Sequence, residues 1–387
     1  MRRILFVHTT SEVGGSDVSL AHIVERLDRT RFQSVVALPS DGPLVARLQS
    51  AGAEVAVLPR MRKLTSRKGA PGLAMFGAGY PMGVASLASL VRRKRIDLVH
   101  TNTIHNLYGW AAARLTGRPH VWHVREIVWQ SSALRGLERS LALNFSTRVV
   151  VTSRAVGGMF ERDGVLPPQV VTIANGVDTA RFAPGASDRV RRDFGIAAGA
   201  PLIGAAARLD VWKGLEDFID AAAVVHRTRP DARFVIAGGP IEGLESYAST
   251  LQEQARGRGL TGVLHFAGWK YGPTEMPDFH RSLDVLVLPS REPEPFGLVV
   301  LEAMASSRPV IATAQGGPLE IVVDGTTGVL VEPRNPEAMA RAMVALVDDA
   351  PRGRMMGAAG RERVETEFAI ERTVERLQLL YDEVLAN

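Results

Sequence analysis

The sequence predicts an α/β fold of two parallel-sheet domains in succession. Short apolar runs alternate with helix-like stretches through the first half, and the same alternation restarts near residue 201. The length of 387 residues also suits two domains of roughly 100–200 residues, each able to bury its own core. Strands that are apolar throughout, rather than alternating, indicate sheets covered by helices on both faces.

In order along the first half, Arg3–His8 reads as a buried strand and Val18–Leu27 as an amphipathic helix, joined by a glycine-rich turn. Strands follow at Ser34–Leu38 and Glu54–Leu58, with a helix from Leu44 to Ser50 between them. Ile96–His100 and His120–Val124 continue the plan around a helix near 107–115, and Arg148–Thr152 and Gln169–Ile173 complete it. Residues 175–187, rich in Gly, Pro and Ala, read as the linker.

In the second half, strands are expected at Pro201–Ala206, Arg233–Ala237, Gly262–Ala267, Asp284–Leu288, Pro309–Ala312 and Gly328–Val331. Helices are expected at Leu215–His226, Leu244–Arg256 and Leu298–Ala305, and one long helix over Arg361–Ala386.

Composition excludes several chemistries. With no cysteine there is no disulfide scaffold, zinc-thiolate site or thiol nucleophile. Charged residues at 22% and hydrophobic residues at 46% exclude disorder as the main state. The apolar run Ile4–His8 is too short for a signal peptide, so a cytoplasmic location is expected. No nucleic-acid-binding motif is present.

The net charge of +5 is unevenly divided. Residues 1–175 hold 23 Lys and Arg against 11 Asp and Glu, whereas residues 176–387 hold 23 against 30. A basic first half can attract an anionic surface or substrate.

Residues 69–91 carry no charge over 23 positions and are flanked by cations at Arg60–Lys68 and Arg92–Arg95. Five glycines and two prolines weaken this stretch as a spanning helix. A surface loop plus helix is the expectation, with peripheral docking on an anionic membrane as the alternative.

Gly14 and Gly15 follow the first strand and precede a helix. Glycine lets backbone approach a ligand there, and a helix N-terminus favours an anion; a plain tight turn is the competing reading. Arg208 and Lys213 lie just past the strand that opens the second half, where open α/β sheets bind ligands. Together they can neutralise a diphosphate, or be solvated loop cations.

The run from Ser290 to Ala303 holds Glu294 in a strand-to-helix loop and Glu302 eight residues later inside a helix. Carboxylates accept hydrogen bonds from sugar hydroxyls, and the N–H groups of Phe296, Gly297 and Leu298 can meet phosphate oxygens.

These motifs, with His123 in the run Val121–Glu126, Asn175–Asp178 and Gly316–Gly328, are spread in order over nearly the whole chain. The sequence resembles the retaining glycosyltransferases of family 4. That resemblance implies a GT-B fold of two facing Rossmann-like domains, an acceptor-binding one at 1–178 and a donor-binding one at 179–365. It also implies that residues 366–387 return to the first.

The resemblance assigns Arg208 and Lys213 to the donor diphosphate, Glu302 to the ribose and Glu294 to the sugar hydroxyls. Gly14 and Gly15 would meet donor phosphate or acceptor, and His123 would sit by the reacting sugar. It implies a UDP-, GDP- or ADP-sugar donor, a glycan, glycolipid or small-molecule acceptor, and no permanent cofactor. No Asp-x-Asp motif is present, and metal-independent transfer by front-face attack is the expectation. A sugar-nucleotide epimerase or hydrolase of the same fold, or a non-catalytic sugar-nucleotide-binding module, remains as an alternative.

Overall fold

The computed structural model describes residues 1–12, 14–61, 69–128, 132–241 and 243–386, with the backbone alone described over 69–75. The chain forms two compact units. The first comprises Met1–Gly176 with Ile370–Asn387, and the second Val177–Ala369.

The first unit holds seven strands: β1 (Arg2–Val7), β2 (Phe32–Leu38), β3 (Glu54–Val57), β4 (Leu98–Asn102), β5 (His120–Val124), β6 (Arg148–Val151) and β7 (Val170–Thr172). They form one parallel sheet in the order β3-β2-β1-β4-β5-β6-β7. The second unit holds β8 (Leu202–Ala206), β9 (Arg233–Ala237), β10 (Leu264–Gly268), β11 (Val285–Leu288), β12 (Val310–Thr313) and β13 (Val329–Val331), ordered β10-β9-β8-β11-β12-β13. In each sheet the order reverses at one point, β1/β4 and β8/β11. The carboxyl ends of the strands flanking such a point form the crevice where this architecture binds ligands.

Both sheets are covered on both faces, which explains the unbroken apolar runs. In the first unit Ile4, Phe6, Val36, Leu98 and Val121 pack with residues of the helices Gly15–Arg26, Pro43–Ser50 and Ile370–Ala386. Leu5, Val7, Val35 and Val99 pack on the other face against Val84, Leu87 and Val91 of the helix Gly69–Arg93. Each such side chain contributes roughly 1.5–3 kcal/mol when fully buried.

Two expectations are corrected. Residues 69–93 form one helix with Pro81 inside it, not a loop followed by a helix. Packing overrides weak propensity here. Val84, Leu87, Ala88, Leu90 and Val91 are buried, and Gly83 lies so close to Tyr108 that a Cβ would come within 2.4 Å of its ring. Among the described residues no helix is long and apolar enough to cross a membrane.

The single helix expected over 361–386 is two helices, Ala350–Glu367 and Ile370–Ala386. The break at Phe368 and Ala369 is where the backbone pairs with Val177, whose N–H donates to the Phe368 carbonyl at 2.9 Å. The chain passes there from the second unit back to the first. A helix at Ser132–Phe145 was not anticipated; it lays Ala142 and Glu138 against the sheet side and leaves Leu137 exposed.

Candidate functional site

The second unit gathers the expected donor residues at its β8/β11 switch point. Arg208 follows β8, and Lys213 ends a short 3-10 turn, Val211–Lys213. Glu294 lies in the loop after β11, and Glu302 inside the helix Leu298–Ala305. Lys213 Nζ donates to both carboxylate oxygens of Glu294, at 2.7 and 3.0 Å. Both side chains are nearly buried, at 13% and 10% exposure. Ser290 Oγ, fully buried, donates to the same carboxylate at 3.0 Å. The Lys213 ammonium also sits 3.9 Å from the Trp212 ring centroid, a cation–π contact that further fixes the charge.

Two loops hold this pair in place. Gly316 has φ +69°, and its backbone runs against Glu294 so closely that a Cβ would fall 2.2 Å from the Glu294 carbonyl oxygen. The next residue, Gly317, donates its N–H to that same carbonyl at 2.7 Å. On the other side Arg291 makes a two-pronged bond to Asp217 at 2.9 and 2.6 Å, tying the loop to the helix Leu215–Thr228.

Glu302 is placed differently. It is 20% exposed, and the fully buried ring of His280 reaches one of its oxygens at 3.2 Å. Phe296 is buried, and Gly297 adopts φ +101° as the helix begins. The first main-chain bond of that helix runs from Val300 N–H to the Gly297 carbonyl, so the N–H groups of Leu298 and Val299 lie ahead of the ladder, as at any helix start. Arg208 is exposed. The structure thus joins Lys213 to Glu294 directly, where they had been assigned to different parts of a donor.

The first unit places Gly14, Gly15 and His123 around its own switch point. Gly14 caps the helix Gly15–Arg26, but its N–H is already used: it donates to Asp17 Oδ2 at 2.6 Å. His123 is fully buried at the end of β5. Its pKa lies well below the usual histidine value because of burial, with the positive Arg125 and the neighbouring His100 adding to the shift. It is therefore a neutral imidazole.

Around it lies a polar cluster, of which Arg125 and Asn175 fall inside sequence motifs while His8, Asp17, His100 and Asn102 do not. His8, Asp17, His100, Asn102, Arg125 and Asn175 are all buried. Asp17 bonds His8 Nε2 at 2.5 Å. Burial alone would raise the pKa of Asp17, but hydrogen bonds from His8, Thr10 and Gly14 hold it below the usual carboxylate value. Burial lowers the Arg125 pKa to about 10, which still leaves a cation at neutral pH. The available signal was positional: His8, Asn102 and Arg125 sit at or one residue past the carboxyl ends of β1, β4 and β5. Among the described residues, no three His, Asp or Glu side chains are grouped as metal ligands.

Known proteins resemble this chain over most of its length. The family described as "Glycosyltransferase Family 4" matches residues 13–181, and that described as "Glycosyl transferases group 1" matches 186–363. D-inositol 3-phosphate glycosyltransferase of Corynebacterium glutamicum is 30% identical over 321 residues, covering 78% of this chain and 76% of that protein. The lipopolysaccharide core biosynthesis mannosyltransferase LpsB of Rhizobium meliloti is 30% identical over 335 residues, covering 81% and 89%. Among solved structures, Anabaena HepE in complex with UDP superposes with a TM-score of 0.83 at 25% identity, covering 99% of this chain and 100% of that one. With both sheets, both family matches and full-length structural likeness in agreement, the chain belongs to glycosyltransferase family 4 and is a glycosyltransferase of GT-B fold.

Proposed function

We propose that this glycosyltransferase moves a hexose from a nucleotide-diphosphate sugar to an acceptor hydroxyl, with retention at the anomeric carbon and without a metal. The observation that carries this reading is the Lys213–Glu294 pair at the β8/β11 switch point. It sets a cation suited to a diphosphate against a carboxylate suited to sugar hydroxyls. The UDP bound to the related Anabaena protein supports a nucleotide-linked donor.

In this reading Arg208 and Lys213 stabilise the charge that develops on the leaving diphosphate, commonly the largest catalytic contribution. Glu294 orients the donor sugar and Glu302 the ribose. The N–H groups at Phe296, Gly297 and Leu298 face phosphate oxygens. The C1–O bond to the diphosphate breaks with its electron pair passing to oxygen. The acceptor oxygen bonds C1 on the same face, and its proton goes to the leaving phosphate oxygen. Residues 179–365 take the donor. Residues 1–178 with 366–387 take the acceptor, near Gly14, Gly15 and His123. Relatives named for D-inositol 3-phosphate suit an anionic polyol acceptor, as does the basic first half.

We place the enzyme in the cytoplasm, with peripheral contact to anionic membrane through Arg92–Arg95. The Arg60–Lys68 cations, also assigned to that contact, lie outside the described residues except Arg60. Flotation with anionic and neutral vesicles tests this; equal recovery removes it.

A thermal-shift screen of UDP-, GDP- and ADP-sugars identifies the donor, and transfer is then measured with and without EDTA. The expected product keeps the donor's anomeric configuration, and its rate survives chelation. An inverted product, or loss of activity restored by Mg²⁺ or Mn²⁺, overturns the corresponding part.

A further inference from the structure

The buried cluster of the first unit has a direction, and a single residue sets it. A guanidinium can only donate hydrogen bonds. Arg125 is 8% exposed, and its Nη2 lies 3.3 Å from His123 Nδ1. That ring nitrogen must therefore accept, and the proton of the neutral imidazole must sit on Nε2. His123 Nε2 is a buried atom without a hydrogen-bond partner among the described residues. It is then a donor with nothing to donate to, a costly condition inside a protein unless a ligand relieves it.

The same logic runs the other way from Arg125. Its Nε donates to Asn102 Oδ1 at 2.6 Å, which fixes the amide so that Nδ2 faces His8. Asn102 Nδ2 donates to His8 Nδ1 at 3.0 Å. His8 Nδ1 is then an acceptor, so His8 carries its proton on Nε2 and gives it in a hydrogen bond to Asp17 Oδ1. Thr10 Oγ1 donates to that oxygen as well, and Asp17 Oδ2 receives the Gly14 N–H.

Strand register makes this row possible. Asn102 of β4 stands opposite His123 of β5, and Val7 of β1 opposite Thr101. The remaining Arg125 bonds, from Nη1 to Ser19 Oγ at 2.8 Å and Asn175 Oδ1 at 2.5 Å, hold the guanidinium in place.

We propose that Arg125 is the positioning residue of the first unit's strand-end site. It holds His123 and His8 as Nε2–H tautomers and, through Asn102, His8 and Asp17, anchors the Gly14–Gly15 turn. Its functional side rests on the reading that His123 and Gly15 serve sugar transfer. The cation at one end and the Asp17 carboxylate at the other are joined by two neutral links, each locked in one orientation. His123 Nε2–H is thereby presented as a fixed hydrogen-bond donor to a sugar oxygen.

Long-range ¹H–¹⁵N spectra of histidine-labelled full-length protein read both tautomers without any substrate. The expected result for the unmodified chain is protonated Nε2 and bare Nδ1 at His8 and His123. Arg125→Met should populate the Nδ1–H form of His123, and Arg125→Lys should restore the Nε2–H form. Asn102→Asp offers His8 a second acceptor, so it should move the His8 proton to Nδ1 or add one there, and leave His123 unchanged.

Nδ1–H at His123 in the unmodified chain overturns the proposal, and this measurement stands even if Arg125→Met does not fold. Unchanged tautomers in a folded Arg125→Met overturn it too. With the donor found by the screen, kcat of Arg125→Met should fall on the order of 10²-fold, the effect of misplacing a group by about 1 Å. The nucleotide-induced melting shift should stay, because Lys213 and Glu302 belong to the other unit. A changed tautomer with normal kcat leaves the proton chain standing and removes the transfer role of His123.

Discussion

Lys213 and Glu294 form a two-pronged ion pair within the second unit, although 81 residues separate them in sequence. Because both are nearly buried, losing one partner strands the other. Lys213→Ala should destabilise that unit by roughly 3 kcal/mol, as for a broken buried pair. Glu294→Gln should cost less, since Ser290 can still bond the amide. The double variant should recover most of the stability of Lys213→Ala, while turnover stays lowered on the order of 10²-fold. Denaturant melts beside rate assays check this, and additive stability losses would contradict the coupling.

Arg208 makes the contrasting case. It is exposed, and exposed substitutions commonly change stability by no more than about 0.5 kcal/mol. Arg208→Ala should therefore melt like the parent, yet kcat/KM for the donor should fall on the order of 10²-fold. A parent-like rate would show that this cation is a solvated loop residue.

Gly316 isolates the effect of backbone contact. Gly316 and Gly325 have similar φ, +69° and +73°, but a Cβ on Gly316 meets the Glu294 backbone while one on Gly325 meets nothing within 4 Å. Gly325→Ala should cost roughly 1–2 kcal/mol, the strain of the left-handed region for a residue with a Cβ. Gly316→Ala should cost at least about 1 kcal/mol more and lower turnover, because Glu294 must move. Equal losses would mean that the contact does not hold Glu294.

The buried histidines predict acid sensitivity of the first unit. Burial holds His100, His120 and His123 neutral, with the His120 pKa pushed down to about 3. In the unfolded chain they protonate near pH 6.5. Below that value the unfolded state binds more protons, so stability falls as pH falls; above it these groups contribute no pH dependence. Each should remove about 1.4 kcal/mol per pH unit below about pH 6.5. Urea midpoints at pH 7.5 and 5.5 measure the slope, and His120→Gln should reduce it by about a third. A flat profile would place these rings in water.

The parallel strands were legible because burial on both faces writes each as a short apolar run, as at Arg233–Ala237. The helix Gly69–Arg93 was not, because its glycines and prolines spoil propensity and only packing on Tyr108 and the sheet restores it. Nor was the stop at Phe368, which depends on a bond to Val177 far away in sequence. In the site, Glu294, Glu302 and Lys213 stand in recognisable local runs. Asn102, His8 and Asp17 do not, and Arg125, although inside the run Val121–Glu126, is given no role by it, since strand register alone brings together residues as far apart as 8 and 102.

The return of Ile370–Ala386 to the first unit has a consequence for how the chain is made. Leu377, Tyr381 and Val384 fill the core of that unit beside Ile4 and Phe6. Tyr381 also bonds the buried His100 at 2.7 Å. On the ribosome, residues 1–176 emerge first, but the part of their apolar face that Ile370–Ala386 covers stays open until those residues follow. The second unit, contiguous from Val177 to Ala369, has all its parts sooner. Domains usually complete in the order of synthesis; here the later-born half is the first able to close, and the earlier one waits for its last helix.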